Sequence, residues 1–534
     1  LETLNCPGGI AGFQKIRESE YDPYEAGHSS NSISAAEAFA VTRDQKKENQ
    51  NIIAVVGDAS IVNGLAFEAM NDVGGRGNKI IIILNDNGMS ISKSVGGAGQ
   101  LFRALSAGKV YNRFKRGFRK AVDHGKAGHA LYDMTYHIKQ WFKRTLIRTN
   151  LFDAMGFSYL GPIDGHDIRK MERAFAKAKT ASKSIVIHVR TKKGKGYPYA
   201  EKDETGYWHG VTPFDIETGT PKNRHDDYVS WSHVFADLTM ESMKKHENAY
   251  LVTPATLKGA GLDEVFDSFP DRTRDVGIAE EHATTFSGAL ALNGYHPILS
   301  IYSTFLQRAY DELSHDCARL GINMTLLIDR AGLVGKDGDT HQGIYDVAFL
   351  RSIPNTVVAM PSNKAEARFL YEESFGNHGV FAIRLPREFV RKGENEADAE
   401  YAFGESVVLR QGSTKRLAVV AVGPKAEELK KTLAEADIDV TLINPLFLCP
   451  LGQKQIDSLL GYEAILVYDA YGIEEGFASE LLLKLNRSGY SGSVEIHAIP
   501  KVFVAGAEKE DQEKQFGLTV DDIAERILER ISEK

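Results

Sequence analysis

Three stretches of the chain repeat one rhythm. A short run of apolar, mostly β-branched residues is followed by a polar turn and then by a segment of helical period. The first stretch holds residues 51–57 (N-I-I-A-V-V-G) and 79–84 (K-I-I-I-I-L). The second holds residues 297–302, 324–329 and 380–385, and the third residues 417–422, 440–443 and 464–469. Near-continuous β-branched runs predict parallel strands covered on both faces, and their alternation with helical segments predicts α/β layers. Polar linkers at 212–227 and 393–400 divide the pattern. The expected architecture is three doubly wound α/β domains, at residues 1–229, 230–400 and 401–534. Residues 102–150 are basic and helix-like, with aromatics at irregular spacing. They read as an excursion from the first domain. No repeat of solenoid period is visible.

Composition narrows the class. The chain has 534 residues, and three domains suit a length at roughly 100–200 residues each. Apolar and charged fractions of 43% and 25% are those of an ordinary globular protein, so neither disorder nor a fibre is indicated. Cys6, Cys317 and Cys449 are far apart, which excludes a disulfide framework and a cysteine-based zinc site. A reducing cytoplasm is expected. A net charge of −8 argues against wrapping nucleic acid, and the basic residues of 102–143 read as a solvated helical face. No apolar run approaches the ~20 residues of a membrane span, and residues 1–12 do not read as a signal peptide. Position 1 is Leu rather than Met.

Chemistry enters at two strand ends. The run 52–56 leads into Gly57-Asp58-Ala59-Ser60, and the run 79–84 into Asn85-Asp86-Asn87-Gly88-Met89. Asp58 and Asn87 are 29 positions apart, the length of one strand–helix–strand unit of about 30 residues. Both side chains then fall at the carboxyl ends of neighbouring strands, where open α/β sheets bind ligands. Magnesium wants hard oxygens and often shares its shell with phosphates. Asp58, the Asn87 amide and the Met89 carbonyl supply such oxygens, and a diphosphate would complete the shell. Gly57 and Gly64 leave the backbone bare beside a helix start that favours an anion. Taken alone, Asp58 and Asn87 would be turn formers; the second arm at the right spacing favours the metal. The pair resembles the thiamine-diphosphate signature, G-D-G followed after 25–30 residues by N-N or N-D-N, with Ala59 where the signature has its second glycine.

A second cluster lies at residues 275–282 (D-V-G-I-A-E-E-H). A thiamine enzyme needs a carboxylic acid that exchanges a proton with a nitrogen of the aminopyrimidine ring. Only an acid in an apolar slot keeps its proton at neutral pH. Glu280 follows Ile278 and Ala279 and precedes a helix of small residues, but Glu281 is adjacent, and the residues alone do not choose. Isolated, two glutamates at a helix start would be a solvated pair.

Longer runs make the resemblance specific. Residues 275–313 and 328–343 (I-D-R-A-G-L-V-G-K-D-G-D-T-H-Q-G) resemble the 1-deoxy-D-xylulose-5-phosphate synthase family. So do residues 19–34 (S-E-Y-D-P-Y-E-A-G-H-S-S-N-S-I-S), 161–167 (G-P-I-D-G-H-D) and 191–197 (T-K-K-G-K-G-Y). The resemblance spans nearly the whole chain. It implies a transketolase-like fold and an enzyme that joins pyruvate to glyceraldehyde 3-phosphate with loss of CO2. That reaction is the first step of the non-mevalonate route to isoprenoid precursors and feeds thiamine and pyridoxal synthesis. It implies thiamine diphosphate lying between the first two domains, Mg2+, and a homodimer to which the third domain contributes contacts.

Residue by residue, the resemblance implies that Glu280 is the cofactor-activating acid. Asp58, Asn87 and the Met89 carbonyl hold the metal, with Gly57, Ala59 and Ser60 alongside. Ile91, Ile278 and Phe305 wall the cofactor rings, and Lys193 and His209 lie near the diphosphate and active centre. His28, Tyr302, Arg308, Asp337 and His341 surround the reacting carbons. Arg330 and Arg387 clamp the acceptor's phosphate. The residue types suit the chemistry: histidine donates a proton near neutral pH, and two guanidinium forks match a phosphate dianion. Each has a duller rival when seen singly. His28 could cap a helix near Ser34, Arg308 and Asp311 could be an exposed pair, and residues 192–195 could be a solvated basic loop. One departure follows Arg387, where Glu388 replaces the family's usual glycine. Two alternatives accompany this reading. One is another transketolase-like enzyme. The other is an impaired or non-catalytic paralogue, because a family segment carrying a G-H-Q motif is expected ahead of the part matching Leu1 onward.

Overall fold

A computed structural model describes residues 3–4, 6, 8–88, 97, 151–203, 206–211, 213–222, 227–393 and 400–532. The chain forms two compact units, His28–Val211 and a larger one made of Leu1–Gly27 with Thr212–Lys534. The excursion expected at 102–150 lies outside the described residues.

Among the described residues, the smaller unit is built on a four-stranded parallel sheet. Its strands are β1 (Ile53–Gly57), β2 (Ile81–Asp86), β3 (Ser158–Asp164) and β4 (Ile185–Arg190), in the order β1-β2-β4-β3. The two runs read as parallel strands, 51–57 and 79–84, are β1 and β2. Isoleucines 80, 82 and Leu84 are fully buried against Ile33, Ala40, Ala66 and Met70 of the helices Ser32–Gln45 and Gly64–Gly75. Asn63 caps the second of these helices by accepting from the Leu65 backbone N–H at 3.1 Å.

The larger unit holds two main sheets. The strands β5 (Tyr228–Ser230), β6 (Ala249–Thr253), β7 (Thr273–Asp275), β8 (His296–Tyr302), β9 (Met324–Ala331), β10 (Thr356–Ala359), β11 (Val380–Pro386) and β12 (Phe389–Arg391) come first along the chain. They are followed by β13 (Val407–Arg410), β14 (Leu417–Ala421), β15 (Thr441–Asn444), β16 (Phe447–Cys449), β17 (Ala464–Ile473) and β18 (Ser493–Ile499). The seven-stranded sheet runs β16-β10-β11-β9-β8-β6-β7, the five-stranded sheet β13-β15-β14-β17-β18, and β5 pairs with β12. All six apolar runs named for the last two thirds of the chain are strands: β8, β9, β11, β14, β15 and β17. In β8, β11 and β17 every position is buried, as strands covered on both faces should be. Strand β16 was not anticipated. It joins β10 antiparallel, so a segment beyond residue 401 completes the sheet formed by residues 249–386.

Candidate active site

In the smaller unit the β1–β2 register sets the first cluster. Gly57 faces Asn85 across the parallel pair, and the Asp58 backbone N–H donates to the Asn85 carbonyl at 3.2 Å. Asp58 is therefore one residue past the end of β1, and Asn87 just past the end of β2. Both stand at the carboxyl edge, as their spacing predicts. Asp58 is buried, and the turn closes by bonds from the Ser60 and Ile61 N–H groups to the Gly57 carbonyl. Ala59 is not among the residues with positive φ, so alanine in place of the signature's second glycine strains nothing. The donor set is a carboxylate and an amide oxygen beside the amino end of Gly64–Gly75, which fits a hard cation carrying a diphosphate. Met89 and Ile91 lie outside the described residues. His28 is half-buried, four residues ahead of the helix Ser32–Gln45.

Lys193 and His209 meet: Lys193 Nζ lies 2.9 Å from His209 Nδ1. Burial lowers the Lys193 pKa, while Asp203 and Asp58 raise it, so an anion at the Asp58 edge is within this ammonium's field. Burial, then the charge of Lys193, lowers the pKa of His209 and favours its neutral form. The neighbouring lysines behave as the duller rival has it: Lys192 and Lys195 pair with Glu201 at 2.8 and 3.8 Å.

A buried relay behind this edge escaped the sequence. His188 is fully buried on β4, its Nε2 lying 2.8 Å from Asp86 Oδ2 and its Nδ1 2.6 Å from the Tyr159 hydroxyl. Asp86 Oδ1 accepts from the Gly88 N–H at 3.1 Å, which fixes the turn that carries Asn87. The hydrogen bond to His188 holds the Asp86 carboxyl below its usual range. The unbroken apolar run around it, I-V-I-H-V, marks His188 as internal; nothing in it pairs His188 with Asp86, 102 residues away.

In the larger unit, Glu280 begins the helix Glu280–Leu292 and is 3% exposed, whereas Glu281 is half-buried. The structure thus separates the two glutamates that the residues left open. Burial pushes the Glu280 carboxyl up, with Arg308 pulling the other way. Arg308 Nη1 stands 3.7 Å from Glu280 Oε2, and that oxygen is buried without a hydrogen-bond partner. A buried acid oxygen without a hydrogen-bond partner fits a ring nitrogen that gives and takes a proton. Arg308 turns to Glu280, while Asp311 is exposed.

Tyr302 ends β8. Its ring stacks on Phe305 with centroids 5.5 Å apart, and Phe305 meets His341 edge-on at 5.7 Å. Burial raises the Tyr302 hydroxyl pKa to about 12, so it stays a neutral donor. His341 also stacks on Phe13 at 5.1 Å. Nearby, the buried Lys15 ammonium binds both oxygens of Asp339 at 2.7 Å. Phe13, Lys15 and Asp339 were not singled out in the sequence; the 324-residue separation of the ion pair leaves no local signal. Ile278 is half-buried just ahead of Glu280.

The two arginines converge. Arg330 has φ +58°, a conformation costing an arginine about 1 kcal/mol, and its guanidinium lies 4.0 Å over the Tyr302 ring. Arg387 donates to the Val334 carbonyl at 3.1 Å and to Asp337 Oδ2 at 2.5 Å; Arg330 Nη1 is 3.6 Å from the same oxygen. Asp337 therefore bridges both guanidinium groups. Glu388 does not disturb this arrangement, because its carboxylate accepts from the Tyr471 hydroxyl at 3.0 Å and pairs with Lys509.

Comparison with known proteins defines the family. The family model of 1-deoxy-D-xylulose-5-phosphate synthase matches residues 1–191. The transketolase pyrimidine-binding domain matches 227–392, and the transketolase C-terminal domain 404–523. The 1-deoxy-D-xylulose-5-phosphate synthase of Shouchella clausii is 37% identical over 100% of this chain and 86% of its own length. That of Brevibacillus brevis is 38% identical over 98% of this chain and 84% of its own. Among solved structures, a split-gene transketolase described as an inactive β4 tetramer is 21% identical, with a TM-score of 0.50 over 57% of this chain and 99% of that one; this likeness bears on the fold alone. The fold is α/β of the transketolase type, and the class is that of thiamine-diphosphate-dependent transferases. Within that class, the chain belongs to the 1-deoxy-D-xylulose-5-phosphate synthase family.

Proposed function

We propose that this chain joins pyruvate to glyceraldehyde 3-phosphate with release of CO2, forming 1-deoxy-D-xylulose 5-phosphate, the first intermediate of the non-mevalonate isoprenoid route. The observation that carries the reading is Glu280, a buried carboxyl with one oxygen that has no hydrogen-bond partner, in a chain whose family is defined. Thiamine diphosphate, when bound, supplies the electron sink for decarboxylation. Asp58 and Asn87, with the Met89 carbonyl, would hold Mg2+, and Gly57, Ala59, Ser60, Lys193 and His209 would surround the diphosphate. Glu280 would hold the proton that a bound aminopyrimidine exchanges. Ile91, Ile278 and Phe305 keep water from the rings.

His341, His28 and Tyr302 donate hydrogen bonds and a proton to the acceptor's developing alkoxide. Arg308 acts through its charge beside Glu280. Arg330 and Arg387 take the acceptor's phosphate, which competes with Asp337 for both guanidinium groups. Residues 1–229 carry the diphosphate and metal side of the site, 230–400 the aminopyrimidine side, and 401–534 contribute to assembly as a homodimer. A cytoplasmic setting is part of this reading, and the buried thiols of Cys317 and Cys449 fit a reducing compartment. Among the described residues no helix is long and apolar enough to cross a membrane.

The test is product analysis of the purified chain with thiamine diphosphate, Mg2+, pyruvate and glyceraldehyde 3-phosphate. Pyruvate loss, CO2 and 1-deoxy-D-xylulose 5-phosphate should appear in equal amounts. Transfer of a two-carbon ketol, or untouched pyruvate, would reject the proposal.

A further inference from the structure

Strand β9 contains an extra residue at its end. In its pairing with β11, Leu385 faces Asp329 and Pro386 faces Ala331, so Arg330 has no partner and is bulged out of the ladder. Pro386 has no N–H to offer the ladder at that point. A bulge re-aims the side chain it carries, and here it coincides with the positive φ of Arg330. Such a conformation persists only where its surroundings over-determine it.

The group that holds it is Asp329. Its carboxylate is 1% exposed, and its Oδ1 accepts from the Arg330 backbone N–H at 2.7 Å. The Ser232 hydroxyl donates toward both carboxylate oxygens, at 3.1 and 3.0 Å. Ser232 lies in the first turn of the helix Trp231–Lys245, and the preceding N–H, that of Trp231, donates to the Glu388 carbonyl at 3.1 Å. One helix start thus touches the residue before Arg330 and the residue after Arg387. Gly259 leaves room for the result: a Cβ there would stand 1.6 Å from the Tyr302 hydroxyl and 3.1 Å from Arg330 Nη2.

We propose that Asp329 and Ser232 are positioning residues for the acceptor's phosphate. By holding the bulged backbone at Arg330 they fix the direction of its guanidinium relative to Arg387. Neither residue touches substrate in this account. The proposal rests on the reading of Arg330 and Arg387 as the phosphate clamp, so the test includes that reading's own control.

The experiment measures KM for glyceraldehyde 3-phosphate, KM for pyruvate, kcat and the inhibition constant of inorganic phosphate in the intact holoenzyme. Asp329→Ala should raise KM for glyceraldehyde 3-phosphate and weaken phosphate inhibition by about tenfold, and Ser232→Ala by about threefold. KM for pyruvate should not change. Asp329→Asn keeps an acceptor oxygen and should stay within about twofold of the parent. Combined with Arg330→Ala, Asp329→Ala should add nothing further, because it acts through that arginine. If Asp329→Ala does not fold, Ser232→Ala and Asp329→Asn carry the test. Equal rises in both KM values, or none in that for glyceraldehyde 3-phosphate while Arg330→Ala raises it, would overturn the proposal alone. An Arg330→Ala variant with normal KM and normal phosphate inhibition would overturn the clamp reading itself.

Discussion

The proposed chemistry centres on a single buried carboxyl, Glu280. Burial pushes the Glu280 carboxyl up, and the Arg308 guanidinium at 3.7 Å pulls the other way. Glu280→Gln keeps the size and removes the exchangeable proton. It should lower kcat roughly 100-fold or more while leaving thiamine-diphosphate binding, followed by calorimetry, within a few-fold. At Gly259, any side chain collides with the Tyr302 hydroxyl. Gly259→Ala should displace that ring and cut kcat about tenfold with a much smaller change in Tm. The roles at this scale differ in how far the sequence shows them. Glu280 is flagged by its apolar neighbours and selected by resemblance, and burial then sets it apart from Glu281. Asp329 stands in a quoted motif beside Arg330, yet an aspartate at a strand end looks like a turn former. The bulge beside it shows only in the pairing with β11, where Pro386, 57 positions later, faces Ala331.

Strands were the most legible elements, because an apolar β-branched run buried on both faces needs no partner information to be read. The carboxyl-edge placement of Asp58 and Asn87 follows from the same pattern, since a strand–helix–strand unit fixes which ends are neighbours. What was illegible came from long-range pairing: strand β16 on β10, the His188–Asp86 relay, and Lys15 on Asp339. A further long-range contact joins the helix Lys364–Glu373 to β15. Glu366 Oε2 accepts from the Ser362 N–H at 2.6 Å, the Ser362 hydroxyl at 2.8 Å and Asn444 Nδ2 at 2.8 Å, while Oε1 is buried and unpartnered. Burial raises this carboxyl to about 7. Folding is thus favoured while Glu366 is protonated in both states, and the contribution is lost as pH rises through about 7. The full loss is roughly 3 kcal/mol. Denaturant midpoints at a series of pH values should show Glu366→Gln gaining on the parent between pH 5 and 8. A pH-independent difference would contradict this.

For the molecule as a whole, family membership defines the reaction class, and the proposed Mg2+ is the most accessible handle on it. Chelation by EDTA should abolish activity and added Mg2+ restore it. Asp58→Asn should raise the half-saturating Mg2+ concentration by at least about tenfold, because it removes the charged ligand. The departures from the family pattern do not argue against activity: Ala59 sits at ordinary φ, and Glu388 is engaged with Tyr471 and Lys509. The most direct test of the account is the balance of products from the holoenzyme. With both substrates present, each pyruvate consumed should yield one CO2 and one 1-deoxy-D-xylulose 5-phosphate, and Glu280→Gln should remove all three signals together. Pyruvate left intact by the parent chain, or product formation undiminished in the Glu280 variant, would contradict it.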